Sequence, residues 1–219
     1  MMMNKTRRRV VVGRRALATV LCFVTWIGGC ASSRAAENDR IARLLDLKPG
    51  MWVADVGAGD GDWAVEMAAV VGGEGHVFAT EVEEDNVESI GRKIAGQLLG
   101  NMSAVLGGEE STGLEDGCCD AILLRLVYHH FTRPEPMRDS LRRALRPGGV
   151  IAVIDIVPQT TWRDLPGVPE RGGHGIAADE LVADMIGAGF EVVERIDDWP
   201  GDEDRYCVLF RRPARSASR

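Results

Sequence analysis

The sequence predicts an α/β fold with a largely parallel sheet covered by helices on both faces. Three observations carry this. Short apolar runs and amphipathic stretches alternate from about residue 41 to residue 210. Several runs, such as 51–56 and 150–156, are continuously apolar, as suits strands buried on both faces. Most connections are short, which favours right-handed strand–helix–strand units.

The elements follow in order. Ile41, Leu44 and Leu45 fall at i, i+3 and i+4 and predict a short amphipathic helix, ended by a turn over 47–50. Residues 51–56 read as the first strand, 57–61 as a glycine loop and 62–71 as a helix. A second strand over 76–80 ends at Glu81, and a helix over 85–99 leads to strands at 102–106 and 119–124. Residues 136–145 read as helical, 147–149 as a turn and 150–156 as the strongest strand. A long segment rich in Pro and Gly, 157–175, precedes a helix over 179–188 stopped by Gly189. The runs 190–196 and 205–210 pattern as an antiparallel hairpin.

The 219 residues carry a net charge of −7, which conceals an asymmetry. Residues 1–30 hold six Lys and Arg and no acid, so the remaining 20 basic and 33 acidic residues give the body −13. An acidic body without an appended module argues against nucleic-acid substrates. The basic start, the apolar run 16–27 and Ile27-Gly-Gly-Cys30 resemble a bacterial lipoprotein signal, with an uncleaved anchor or a misassigned start as alternatives. The expected organisation is a targeting segment at 1–30, a tether at 31–38, one domain at 39–212 and a flexible tail at 213–219. That organisation implies a cell-envelope location through an N-terminal membrane anchor, or the cytoplasm if the segment is not a true signal. Cys118, Cys119 and Cys207 lack metal-ligand spacing and read as small hydrophobes.

The loop Asp55-Val-Gly57-Ala-Gly59-Asp-Gly61 joins a strand to a helix and offers backbone N–H groups to a ligand. A dinucleotide fingerprint needs glycine at position 62, which is Asp62, and Asp60 and Asp62 repel a pyrophosphate. The expected ligand is therefore not strongly anionic, and a nicotinamide dehydrogenase is excluded. Asp55 suits a cationic group, and Glu81 suits a pair of ribose hydroxyls.

With Asp120-Ala-Ile-Leu-Leu124 and Leu145-Arg-Pro-Gly-Gly149 these residues make four motifs in order. In them, over about residues 40–210, the chain resembles class I S-adenosylmethionine-dependent methyltransferases. The resemblance implies a Rossmann-like, doubly wound, mostly parallel seven-stranded sheet with an antiparallel last strand. It implies S-adenosyl-L-methionine as cofactor and a small-molecule acceptor. Gly57, Ala58, Gly59 and Gly61 would line the methionine part, Asp55 would lie near its amino group, and Glu81 with Val82 would hold the ribose. Glu109 or Glu110 would lie near the adenine. Arg125 replaces a small polar residue usual in the family and is counted with the cofactor residues, or pairs with an acid or an anionic substrate. An exported protein that uses the fold for binding alone is the alternative.

Methyl transfer asks for alignment, exclusion of water and, for some acceptors, a base. His129 and His130 follow the fourth strand, and His174 lies late in the long loop, so these three are the candidate bases. With Asp155 they form no diagnostic metal spacing, and no metal is expected. Trp52 is expected in the core, while Trp162 and Trp199 floor a pocket or cover a sheet edge.

Overall fold

The computed structural model describes residues 27–162, 166–200 and 204–214, with backbone alone for 27–33. Residues 1–26, most of the targeting segment expected at 1–30, lie outside the described residues, as do 163–165, 201–203 and 215–219. Seven strands form one sheet: β1 (Trp52–Val56), β2 (His76–Glu81), β3 (Met102–Leu106), β4 (Cys119–Arg125), β5 (Leu145–Ile156), β6 (Glu191–Ile196) and β7 (Arg205–Arg211). Their order is β3-β2-β1-β4-β5-β7-β6, and β7 alone runs antiparallel to its neighbours, as expected. Among the described residues five α-helices flank it: α1 (Ile27–Leu44), α2 (Asp62–Val71), α3 (Glu84–Gln97), α4 (Pro134–Ala144) and α5 (Ala178–Gly187).

Burial explains the layers. Val53, Ala54, Leu123, Leu124, Val153 and Ile154 are almost wholly buried, so both faces of the central strands are covered. One face packs Leu141 of α4 with Leu181 and Met185 of α5. The other packs Ile41 of α1, Met67 of α2 and Ile90 of α3. At about 25 cal/mol per Å² of apolar surface, such two-sided burial is the dominant favourable term in folding.

Four details differ from the sequence reading. Residues 31–38, expected as a tether, lie inside α1. The face that ends in Ile41 and Leu45 continues back to Glu37, which bonds into the body. The turn expected at 147–149 lies within β5, where pairing jumps from Cys119↔Leu145 to Ala121↔Val150 and leaves extra residues bulged out. Trp52 is 41% exposed rather than core. It opens β1 at the sheet rim, with its ring tilted against those of His76 and Phe78 at centroid distances of 5.4 and 5.7 Å. Trp199 is fully buried, and its indole N–H donates to Glu37 at 3.0 Å.

Cys118, Cys119 and Cys207 are free thiols, with Cys119 and Cys207 buried as small apolar groups. No helix among the described residues is long and apolar enough to cross a membrane.

Candidate active site

The strand order reverses between β1 and β4, and a cleft opens beyond their C-terminal ends. It measures about 420 Å³. Gly57, Gly59, Glu81, Val82, Glu109 and His130 line it, over an apolar floor of Val127, Phe131 and Met137. Two backbone positions shape its mouth. Gly57 has φ +72°, and an added Cβ would stand 2.3 Å from Cγ2 of Val127. Leu126, directly after β4, holds φ +56°, a conformation that costs a branched residue energy and recurs at functional sites.

Glu81 sits at the centre of this cradle. One of its carboxylate oxygens accepts the Gly59 N–H at 2.6 Å and the other accepts the Val82 N–H at 3.2 Å. A carboxylate has about four acceptor sites, so sites remain for ligand hydroxyls. Asp55, at the end of β1, is 2% exposed, and its Oδ2 has no hydrogen-bond partner. Burial pushes its carboxyl up to about 7, against the pull of the Arg125 charge. A buried carboxylate oxygen without a donor fits a ligand that brings a cationic group. Asp62, at the start of α2, is held below the usual carboxylate range by Lys93 and by Arg34 at 2.8 Å.

Of the two adenine-side candidates, Glu109 lines the cleft, whereas Glu110 faces outward and pairs with Arg133 at 3.0 Å. Asp55, Ala58, Gly61 and Arg125 lie outside the lining. Arg125, expected among the cofactor residues, is bonded to α1. Its guanidinium donates to both oxygens of Glu37 at 3.1 and 3.2 Å and lies over the Trp63 ring at 4.4 Å. The expectation that it pairs with an acid holds, and the acid belongs to α1. Glu37, which ties Arg125 and Trp199 together, was missed because its segment read as a tether. Its signal was its place four residues before Ile41 on the same helical face.

A second pocket of about 210 Å³ adjoins the cleft, with Leu126 and His130 lining both. His129 and His130 lie on a single 3-10 turn, Tyr128–His130, after β4. His174 is brought over from the long loop by paired backbone bonds to Gln159 of 2.9 and 3.2 Å. Gly175 beside it, at φ +131°, admits no side chain, since a Cβ would stand 2.7 Å from the Ile156 carbonyl oxygen. Asp155, wholly buried, accepts from Nδ1 of His129 at 2.5 Å, from the His129 N–H at 3.2 Å and from the Ile156 N–H at 2.8 Å. This fixes the His129 tautomer and leaves its Nε2 facing Nε2 of His174 at 3.1 Å. Burial, then the neighbouring His129 and His174, lower His130 to about 4. Trp162 is exposed, and its ring stands 5.5 Å from that of His174.

Residues 53–149 match a methyltransferase domain. This segment runs from β1 into β5 and carries the glycine loop, Glu81, His129 and His130. The chain is 27% identical over 207 residues to the arsenite methyltransferase of Halobacterium salinarum, covering 87% of itself and 51% of that protein. It is 30% identical over 111 residues to a ubiquinone/menaquinone biosynthesis C-methyltransferase of a Marinomonas species, covering 50% of itself and 44% of the relative. The chain thus spans about half the length of these curated relatives. Among solved structures, a SAM-dependent methyltransferase from Aquifex aeolicus superposes with a TM-score of 0.69 at 21% identity, covering 83% of this chain and 97% of that one. The body therefore has the Rossmann-like methyltransferase fold, and the cleft lies where such folds bind their ligands.

Proposed function

We propose that this protein binds S-adenosyl-L-methionine in the cleft and moves its methyl group to a small-molecule acceptor. The observation that carries the reading is the cleft's own cradle, where the glycine loop bonds Glu81 and leaves that carboxylate acceptor sites for ligand hydroxyls, while Asp55, outside the lining, adds a buried, unpartnered Oδ2 at the end of β1. A cofactor with an ammonium group at one end and ribose hydroxyls further along matches that set. Gly57 and Gly59 would take the methionine part, Glu81 the ribose and Glu109 the adenine side. The methyltransferase relatives named above support the same reading. When bound, the cofactor supplies an already activated methyl group.

The chain's own work is then alignment and proton handling. His130 stands where the cleft meets the second pocket and, with its value near 4, is neutral at pH 7. It offers a ring nitrogen lone pair to the proton of an acceptor hydroxyl or amine. Asp155 holds His129, and His129 in turn faces His174, so the acceptor side is lined by imidazoles of set orientation.

Calorimetry with S-adenosyl-L-methionine tests the reading. Binding is expected, with Glu81→Ala weakening it at least about tenfold, in line with the loss of charged hydrogen bonds. No binding at millimolar cofactor overturns it.

The affinity is also expected to depend on pH through Asp55. Below about 7 its carboxyl is protonated in the free chain, while a bound ammonium needs it ionised. Each unit below that point then costs about 1.4 kcal/mol, so affinity falls up to about tenfold per unit and levels off above. Asp55→Asn should flatten the profile, and an equally steep profile in that variant would remove Asp55 from the role.

The N-terminal basic and apolar segment favours a second reading, in which an exported or lipid-anchored protein uses the fold for binding. S-adenosylmethionine is made in the cytosol, so export separates the fold from its supply. Fractionation decides the location: recovery with the envelope is expected for a lipidated Cys30, and recovery in the cytosol removes the export reading. Turnover to S-adenosylhomocysteine with pooled small-molecule extracts distinguishes catalysis from binding.

A further inference from the structure

Three of the chain's four histidines meet in the second pocket, although 129, 130 and 174 come from two distant segments. We propose that His129, His130 and His174 bind one divalent transition-metal ion of the zinc class, leaving a coordination position open to the pocket.

The geometry is that of a ligand set. The candidate ligand atoms of the three imidazoles all lie within 4.8 Å of one another. Nε2 of His129 and Nε2 of His174 are 3.1 Å apart. Two nitrogens at about 2.0–2.1 Å from a tetrahedral zinc ion stand roughly 3.3 Å apart, so these two are already close to placement. His130, on the exposed side of the same turn, has its ring centroid 4.1 Å from that of His129 and 5.4 Å from that of His174.

The support behind the ligands matches as well. Nδ1 of His129 bonds the fully buried Asp155 carboxylate at 2.5 Å, the carboxylate–histidine pairing that orients a metal-binding imidazole. His174 is held by its two-sided backbone bridge to Gln159. Three histidine ligands with an open fourth position is the pattern of catalytic rather than structural zinc, which closes its coordination with protein groups. The open side faces the cavity that His130 shares with the cofactor cleft, and Arg205 lines the same cavity. An acceptor bearing a hydroxyl or thiol could coordinate there and lose its proton to solvent, since a bound cation lowers the pKa of its ligand. That last role rests on the methyltransferase reading, whereas the metal site does not. With the ion bound, His130 is a ligand, and the base role given to it above belongs to the metal-free site alone.

The test uses the full chain without a histidine tag, stripped with a chelator and titrated with Co(II). The expected result is one ion per chain, an intense visible band of near-tetrahedral Co(II), and displacement by Zn(II). His174→Ala and His130→Ala are each expected to weaken Co(II) binding at least about tenfold, the scale seen when a metal shell is disrupted. Thermal unfolding of both variants verifies that they are folded, and both replacements lie outside the buried core. Absence of the band at millimolar Co(II), or unchanged binding in either variant, overturns the proposal. Failure of S-adenosyl-L-methionine to bind the wild-type chain would sink the cofactor reading and leave the metal result standing.

Discussion

Gly57→Ala is expected to abolish measurable S-adenosyl-L-methionine binding while the chain still folds. Two costs combine at this residue. At φ +72° an alanine pays about 1–2 kcal/mol for a left-handed conformation. Its Cβ would also lie 2.3 Å from Cγ2 and 2.9 Å from Cβ of Val127, so one of the two chain segments must move. Either movement shifts the loop that bonds Glu81 through the Gly59 N–H. The cradle is lost before any ligand atom is met. The measurement is calorimetry on Gly57→Ala and on Gly57→Ala with Val127→Ala. The double variant removes the clash and keeps the backbone strain, so it should recover part of the affinity. Wild-type affinity in Gly57→Ala would show that the loop does not hold the cofactor.

Asp155→Ala is expected to give the largest loss of stability of any single change at the site. The carboxylate is fully buried and satisfies three donors: the backbone N–H groups of His129 and Ile156 and the His129 ring. Each buried donor left alone costs about 1–3 kcal/mol. Removing one partner of a buried pair costs about 3–5 kcal/mol. For a chain of this size, about 2–4 °C is lost per kcal/mol, so the unfolding midpoint should fall by about 10 °C or more. Asp155→Asn keeps one acceptor oxygen and should fall less. Calorimetric or dichroic melting reads both, and a midpoint for Asp155→Ala within about 2 °C of wild type contradicts the network.

The elements of the sheet were readable because their physics is local. Residues 62–71 and 102–106 have the bounds the sequence predicts, since a glycine loop or polar turn closes each end. The antiparallel hairpin at 190–210 was readable from its two runs and the turn between them. Glycine loop and Glu81 were legible for the same reason. They sit at strand ends, where chemistry tolerates few residue types.

What the sequence left open turns on contacts between distant segments. Glu109 and Glu110 are adjacent and alike, and only the fold sends Glu110 to Arg133 and Glu109 into the cleft. Arg125 gave no hint of Glu37, which lies 88 residues away and bonds it across the sheet end. Trp52 is as apolar as any core residue, but the sheet rim at the start of β1 leaves it exposed. The histidines show the limit most clearly. Spacing in the chain gave no metal ligand set, because His174 reaches His129 only through a loop anchored on Gln159.

The sequence by itself determined the α/β class, the order of the strands and helices, and the loop with its two acids at Asp55 and Glu81. Those follow from periodicity and from backbone needs that act over a few residues. Tertiary structure alone decided which acid faces the cleft, what Arg125 pairs with and that three histidines share one pocket. These depend on distances between residues 23 to 88 positions apart, which side-chain packing sets and no local pattern encodes.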